Sequence, residues 1–373
     1  MQRIDHPLHH GSPGTARCLT TLHYGPATPA GRKAVLQASL HADEWPPLLV
    51  MFHLRRLLDS LEQAGRLRSE IVLVPFANPI GLAQRSLGAP VGRFDLGDGR
   101  NFNRGFPVLA EAAAARLRSQ LDAAPDANRH RLRAVLRDLV DAQEAATETA
   151  SLKRLLLRTA IDADIVLDLH CDNEAVLHAY VGTPLLPQGE RLARHLGARA
   201  LLHARESGDG PFDEAISRSW WEVREAFPER IAPAGFAATV ELRGHAQVDH
   251  ATATADAQRL LAFLADEGFI EGALPTTSNA AVECAVRPLE AVEPLCAPAA
   301  GVLVFLHDVG AVVPAGAAVA EIVDVDRGHT LPITARYGGL LYARTDLRFV
   351  HAGARIAKIA GSTSFRTGLL LSE

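Results

Sequence analysis

Residues 34–40, Ala-Val-Leu-Gln-Ala-Ser-Leu, are a short apolar run that stops at His41-Ala42-Asp43-Glu44 and then meets Trp45-Pro46-Pro47. A run of this length suits a buried strand, and prolines suit the first turn of a helix, so Pro46 to Glu62 is expected to be an amphipathic helix. A strand ending in His-x-x-Glu sets an imidazole and a carboxylate at the edge of a sheet, where both can reach one cation. A second strand-like run, Asp164-Ile165-Val166-Leu167-Asp168-Leu169-His170, also ends in a histidine. Two histidines and one carboxylate leave a fourth position open to water, the arrangement of a catalytic rather than a structural zinc site.

The same alternation continues along the chain. Ile71–Ala77 reads as a buried strand running into the turn Asn78-Pro79-Ile80-Gly81, and irregular, Gly-rich sequence extends to Phe106-Pro107. Residues 109–161 are rich in Ala, Leu, Arg and Glu at helical spacing and predict two or three helices. Strands are expected at Ile165–Leu169 and Val176–Val181, a helix and a strand within 187–206, a strand at Ala237–Leu242 and a closing helix over 251–268. This order predicts a three-layer α/β domain with a mostly parallel mixed sheet, whose active site gathers where strands end.

After about residue 275 the helical signals stop. Gly301–Ile322 and Gly339–Ile359 look alike, each with short Val/Leu/Ile runs between glycines. This two-fold quasi-repeat is of the kind seen in small β-sandwiches of the biotinyl/lipoyl-carrier type. The lysine that such carriers modify is missing, since no Lys lies between 154 and 357 and Lys358 sits inside the final strand pattern. The expectation is therefore a structural or substrate-shielding β domain over 276–373, joined to a catalytic domain over 1–275. A chain of 373 residues is long enough for two such domains.

Composition narrows the function classes. Hydrophobic residues make up 48% and charged residues 22%, with a net charge of −5 and no basic run, which points away from nucleic acid and from anionic membranes. Lysine is rare, at three of the 38 Lys and Arg residues. The four cysteines are scattered without a CxxC pair, as expected of free thiols in a reducing compartment. Met1 to Thr20 has no apolar h-region, and no segment approaches the roughly 20 apolar residues of a membrane helix. A soluble cytoplasmic protein is expected.

Taken in order, the strand-end groups are His41 and Glu44, Asn78-Pro79, Asn103-Arg104, Asp168-Leu169-His170 and Thr239-Val240-Glu241-Leu242-Arg243-Gly244. This series resembles the zinc carboxypeptidase clan, and more closely its succinylglutamate desuccinylase/aspartoacylase branch, which also carries a C-terminal β domain. The resemblance covers nearly the whole chain. It implies a carboxypeptidase-like fold and metal-assisted hydrolysis of the amide of a small N-acyl amino acid. One Zn2+ per chain would be held by His41, Glu44 and His170, and would lower the pKa of a bound water toward neutrality. Glu241 would take the proton and pass it to the leaving amine. An arginine would stabilise the oxyanion; Arg93 and Arg85 are both candidates, with Arg93 favoured because it lies nearer the Asn-Arg pair. Asn103 and Arg104 would grip a substrate carboxylate, and Arg243, on the same side of the strand as Glu241, could face substrate too.

Other readings remain open from the residues alone. A carboxypeptidase would use the same chemistry in a more open cleft, and a zinc-binding scaffold would have no use for a carboxylate such as Glu241. Homo-oligomerisation is left open. Asp168 is expected to orient a neighbour, and His178 to pack rather than to bind metal. The chain departs from the family pattern in two places. Asn101 stands where relatives often have an aspartate that supports the first zinc histidine, so that the support would carry no charge. The Gly-rich segment Gly88–Arg100 lengthens the loop before Asn103.

Overall fold

The computed structural model describes residues 1–9, 11–28, 31–274 and 283–371. The expected domain boundary at 275–276 lies outside them. In chain order the strands and helices begin with β1 (Gln2–Pro7), β2 (Cys18–Tyr24), β3 (Lys33–Ala38), α1 (Pro46–Gln63), β4 (Glu70–Val74), the four-residue α2 (Pro79–Leu82), β5 (Arg85–Ser86) and β6 (Ala89–Pro90). Helices α3 (Ala110–Leu117), α4 (Pro125–Asp141) and α5 (Glu148–Ala160) precede β7 (Ile165–Asp172), β8 (Glu174–Ala175) and β9 (His178–Gly182). Then come α6 (Leu186–Leu196), β10 (Ala200–Ala204), α7 (Phe212–Ala226), β11 (Phe236–Gly244), α8 (His250–Asp266) and β12 (Ala285–Pro288). The chain closes with β13 (Val292–Cys296), β14 (Gly301–Phe305), β15 (Val312–Val313), β16 (Ala318–Asp324), β17 (His329–Thr334), β18 (Gly339–Arg344), β19 (Phe349–Val350) and β20 (Arg355–Ala360). The fold is mixed α/β with a large mixed sheet and additional C-terminal strands.

Two compact units divide the chain. The first comprises Met1–His170, Asp209–Thr239 and Asp249–Thr277. Its strands hydrogen-bond in the order β1-β2-β4-β3-β7-β11. The pairs β1–β2 and β2–β4 are antiparallel, whereas β3 runs parallel to both β4 and β7. Strand β3 is buried along almost its whole length, and β7 likewise, as expected of interior strands covered on both faces. That burial explains why both read as unbroken apolar runs. One core cluster of this unit joins Leu132 and Leu136 of α4, Leu152 and Leu156 of α5, and Phe212, Ile216 and Trp220 of α7.

Helix α1 begins at the expected Pro46, and 109–161 supplies α3, α4 and α5. Features beyond the sequence expectations include the antiparallel pairs β1–β2 and β5–β6, and α7 between residues 206 and 237, where apolar residues nevertheless recur at helical spacing.

The second unit comprises Cys171–Gly208, Val240–Val248 and Ser278–Glu373. Strands β9, β10 and β12 run parallel to one another. The remaining strands form two antiparallel arrays, β13-β20-β18-β15 and β17-β16-β14-β19, with β8 added to β18. Leu303 and Ile322 from the first quasi-repeat share one core with Leu341, Ile356 and Ile359 from the second. All four cysteines are free. No helix of the described residues is long and apolar enough to cross a membrane.

Candidate metal centre and active site

Strand β3 ends at Ala38, and the next residue, Ser39, has a left-handed backbone with φ 68° although it is not glycine. Such a conformation costs about 1 kcal/mol or more, and its position just before the ligands fits strain stored at a functional site. The turn that follows is braced from two sides. Asn78 Nδ2 donates to the Leu40 carbonyl at 3.0 Å, while Asn78 Oδ1 accepts from Gly81 N at 2.8 Å. Ala42 N donates to Gly92 O at 3.1 Å. A Cβ on Gly92 would lie 2.5 Å from Asp43 N, so only glycine lets this loop lie against the turn.

His41, Glu44 and His170 are each almost fully buried, and each offers a ligand atom within 4.8 Å of the others. Both histidines present Nδ1 to the one carboxylate, His41 to Oε1 at 3.0 Å and His170 to Oε2 at 2.9 Å. The opposite ring nitrogens are engaged outside the cluster. His41 Nε2 lies 2.9 Å from Asn101 Oδ1, and His170 Nε2 lies 3.0 Å from Asp168 Oδ2. For His41, an Nε2–H held by Asn101 Oδ1 fixes the tautomer and leaves Nδ1 free to bind metal, while Asp168 Oδ2 stands at ion-pair distance from His170 Nε2. The donor set and its outer partners thus fit a zinc ion held by two imidazoles and a carboxylate.

Electrostatics follow from this packing. Burial, reinforced by the Arg93 guanidinium, pushes the His41 imidazole down to about 4, so the ring is neutral at ordinary pH, as a metal ligand must be. Burial also works against a charged His170, but Asp168 and Glu44 override it and hold that ring well above the usual histidine value, so a metal bound there would have to displace its proton. Glu44 sits well below the usual carboxylate range because the two histidines outweigh its burial.

Of the two candidate oxyanion arginines, Arg93 lies at the cluster: its guanidinium approaches His41 Nδ1 at 3.2 Å and Glu44 Oε1 at 3.3 Å. Arg85 is exposed and donates to the backbone carbonyls of Leu82 and Gln84. Asn101 does reach His41, and its Oδ1 also accepts from Asn103 N at 2.8 Å. Asn103 Oδ1 accepts from Phe212 N at 2.8 Å, and its Nδ2 lies 3.5 Å from His170 Nε2. Arg104 folds its guanidinium back onto the Asn103 carbonyl at 2.7 Å. The first unit therefore brings together His41, Glu44, His170, Arg93 and Asn103, with Arg104 next to Asn103 in the chain.

Sequence reasoning missed two groups in this unit. Gln37 Nε2 donates to Asp168 Oδ1 at 2.9 Å and so helps fix the carboxylate behind His170. Asp213, in the first turn of α7, is buried. Its burial, with the Glu214 and Asp168 carboxylates, raises its pKa to about 7. Gln37 was discoverable in principle, as a polar residue in an otherwise apolar strand.

Glu241 and Arg243 lie in the part of β11 that belongs to the second unit. Glu241 is half-buried, and Arg243 has a left-handed backbone with φ 66°. Lys358 Nζ donates to Asp172 Oδ2 at 2.6 Å within this unit, and Asp172 and Glu241 both raise the Lys358 pKa. His178 is fully buried, donates Nδ1–H to the Val176 carbonyl and packs edge-on against Tyr180 and Tyr342, in keeping with a packing role.

The catalytic-domain model of the succinylglutamate desuccinylase/aspartoacylase family matches residues 30–266. The chain belongs to this family. Its members are deacylases, which places the His-Glu-His cluster in an enzyme family that acts on small acyl amino acids. Comparison with curated proteins finds no match. Among solved structures, the chain is similar to a family protein from Shewanella amazonensis SB2B, with 25% identity and a TM-score of 0.83 over 96% of this chain and 98% of that one. A second, from Shewanella frigidimarina NCIMB 400, shares 23% identity with a TM-score of 0.83 over 96% and 97%. The fold also extends to a product-bound ectoine utilization protein from Ruegeria pomeroyi, at 17% identity and a TM-score of 0.68 over 97% and 95%.

Proposed function

We propose that this protein is a zinc-dependent hydrolase that cleaves the amide bond of a small N-acyl amino acid. The observation that carries the reading is the convergence of His41 Nδ1, His170 Nδ1 and the Glu44 carboxylate in a chain of a deacylase family. Zinc held there would supply a Lewis acid and a water acidified toward neutral pH.

The remaining chemistry falls to the chain's own side chains. Glu241 accepts the proton of the attacking water and returns it to the leaving amine, a task suited to a half-buried carboxylate in the C-terminal half of β11. Arg93, whose guanidinium borders the ligands, stabilises negative charge as it develops on the acyl oxygen. Asn103 and Arg104 bind a carboxylate of the substrate, with the planar guanidinium giving two parallel bonds that lysine could not reproduce. Arg243 adds a second positive charge for the same class of anionic substrate.

The test is amine release from a panel of N-acyl amino acids and C-terminal dipeptides, with and without a chelator. Release from acyl amino acids, lost with chelator and restored by zinc, supports the reading and names the acyl group. Release from dipeptides alone would replace it with a carboxypeptidase. Silence from a zinc-loaded sample across the panel would count against hydrolysis of this substrate class.

A further inference from the structure

The loop that bears Asn101, Asn103 and Arg104 is held by a residue that lies far from it in sequence. Lys153, on α5, donates from Nζ to the Arg104 carbonyl at 2.6 Å and to the Asn101 carbonyl at 3.4 Å, and its ammonium lies 5.5 Å from the centre of the Phe106 ring. Four residues earlier, on the same face of the helix, Thr149 Oγ1 donates to Asp95 Oδ2 at 2.5 Å. Helix α5 thus grips the 93–106 loop at both ends.

We propose that Lys153 is a positioning residue for the substrate-binding and ligand-supporting segment Asn101–Arg104. This rests on the deacylase reading for its substrate arm. The segment has three jobs to hold in register. Asn101 backs His41 through its amide oxygen, Asn103 reaches toward His170, and Arg104 carries the candidate carboxylate clamp. All three side chains hang from a backbone without helix or strand pairing across 102–106. Gly105 N and Phe106 N tie its far end to the Asp209 and Gly210 carbonyls at 2.7 and 2.9 Å. Lys153 supplies the opposing tie, bonding the Asn101 and Arg104 carbonyls on either side of Asn103.

The choice of lysine is itself informative. Lysine accounts for only three of the 38 Lys and Arg residues. An ammonium carries three donors around one point and can serve two carbonyls that converge on it, whereas a guanidinium directs its donors outward in a plane. The geometry at Lys153 asks for the first.

The experiment compares wild type with Lys153→Met and Thr149→Val, all loaded with zinc. Amide hydrogen exchange is followed over residues 93–106, zinc loss to a chelator is timed, and kcat and KM are measured on whichever acyl amino acid the wild type hydrolyses. In Lys153→Met, exchange at 101–104 should quicken and zinc should leave about tenfold faster, since weakened outer support of a ligand lowers metal affinity by that order. KM should rise about tenfold with kcat within a factor of two. Thr149→Val should disturb only 95–100 and leave KM unchanged. Unaltered exchange and zinc loss in Lys153→Met would overturn the proposal, as would identical effects of both substitutions, which would reduce α5 to general support. A wild type that hydrolyses no acyl amino acid removes the deacylase reading, and exchange and zinc loss then decide on Lys153 alone.

Discussion

Asn101 Oδ1 lies 2.9 Å from His41 Nε2, in the place that Asp168 Oδ2 takes 3.0 Å from His170 Nε2. The two candidate ligand histidines thus have unequal neighbours, one a neutral amide and one a carboxylate. A carboxylate makes an imidazole a stronger base and a better metal ligand. Asn101→Asp should therefore raise zinc affinity by about tenfold, read by competition with a chromophoric chelator. An unchanged affinity would mean that the amide already orients His41 as well as a charge could.

Replacing Glu241 by Gln should leave zinc stoichiometry intact while lowering kcat by about a hundredfold or more, the usual share of a general base. Metal analysis and steady-state kinetics on the same sample check it. Wild-type turnover in the variant would remove Glu241 from the mechanism.

Asp213 gives a pH-dependent prediction whose sign is fixed by its environment. Burial, with Glu214 and Asp168 nearby, raises its carboxyl to about 7 from an ordinary 3.8. The folded state therefore holds this proton more tightly than the unfolded chain does. Stability from this group is full below pH 3.8 and is lost as pH rises through about 7. Asp213→Asn should stabilise the protein by about 2–4 kcal/mol at pH 8 and by much less at pH 4. Denaturant melts at the two pH values test this, and equal effects at both would contradict it.

Gly92→Ala would push a methyl group into the backbone at Asp43 and Ala42, with an initial approach of 2.5 Å. Overpacking of this kind costs about 1–3 kcal/mol. The expected outcome is a lower Tm with a larger fall in kcat, because Arg93 is the next residue. A fall in Tm with kcat unchanged would separate the loop contact from catalysis.

What the sequence made legible follows from how each element is buried. Strands β3 and β7 are interior, so their apolar runs stand out, and the polar residues that close those runs mark the candidate ligands His41 and His170, although β7 itself continues through His170 to Asp172. Strand β1 is largely exposed and pairs only with β2, so its residues show no apolar run. Helix α7 was legible in principle: Phe212, Ala215, Ile216, Trp220 and Val223 recur at helical spacing, although the buried Asp213, Glu214, Ser217 and Ser219 give the segment a polar look. Lys153 escaped notice because nothing local sets it apart; its role depends on carbonyls 49 and 52 residues away.

The contact of Gly92 with the Ala42–Asp43 backbone has an implication for how such a site can change. Because Arg93 follows directly on that main-chain contact, its reach toward Glu44 depends on where the Gly92 backbone sits. Residues 92 and 93 therefore act as one mount for the ligand turn and for the guanidinium beside it. If Arg93 stabilises the oxyanion as proposed, drift at either position disturbs chemistry shared by every acyl group. Laboratory selection for new acyl specificity should accordingly leave both untouched and accumulate changes on the distal side of the loop.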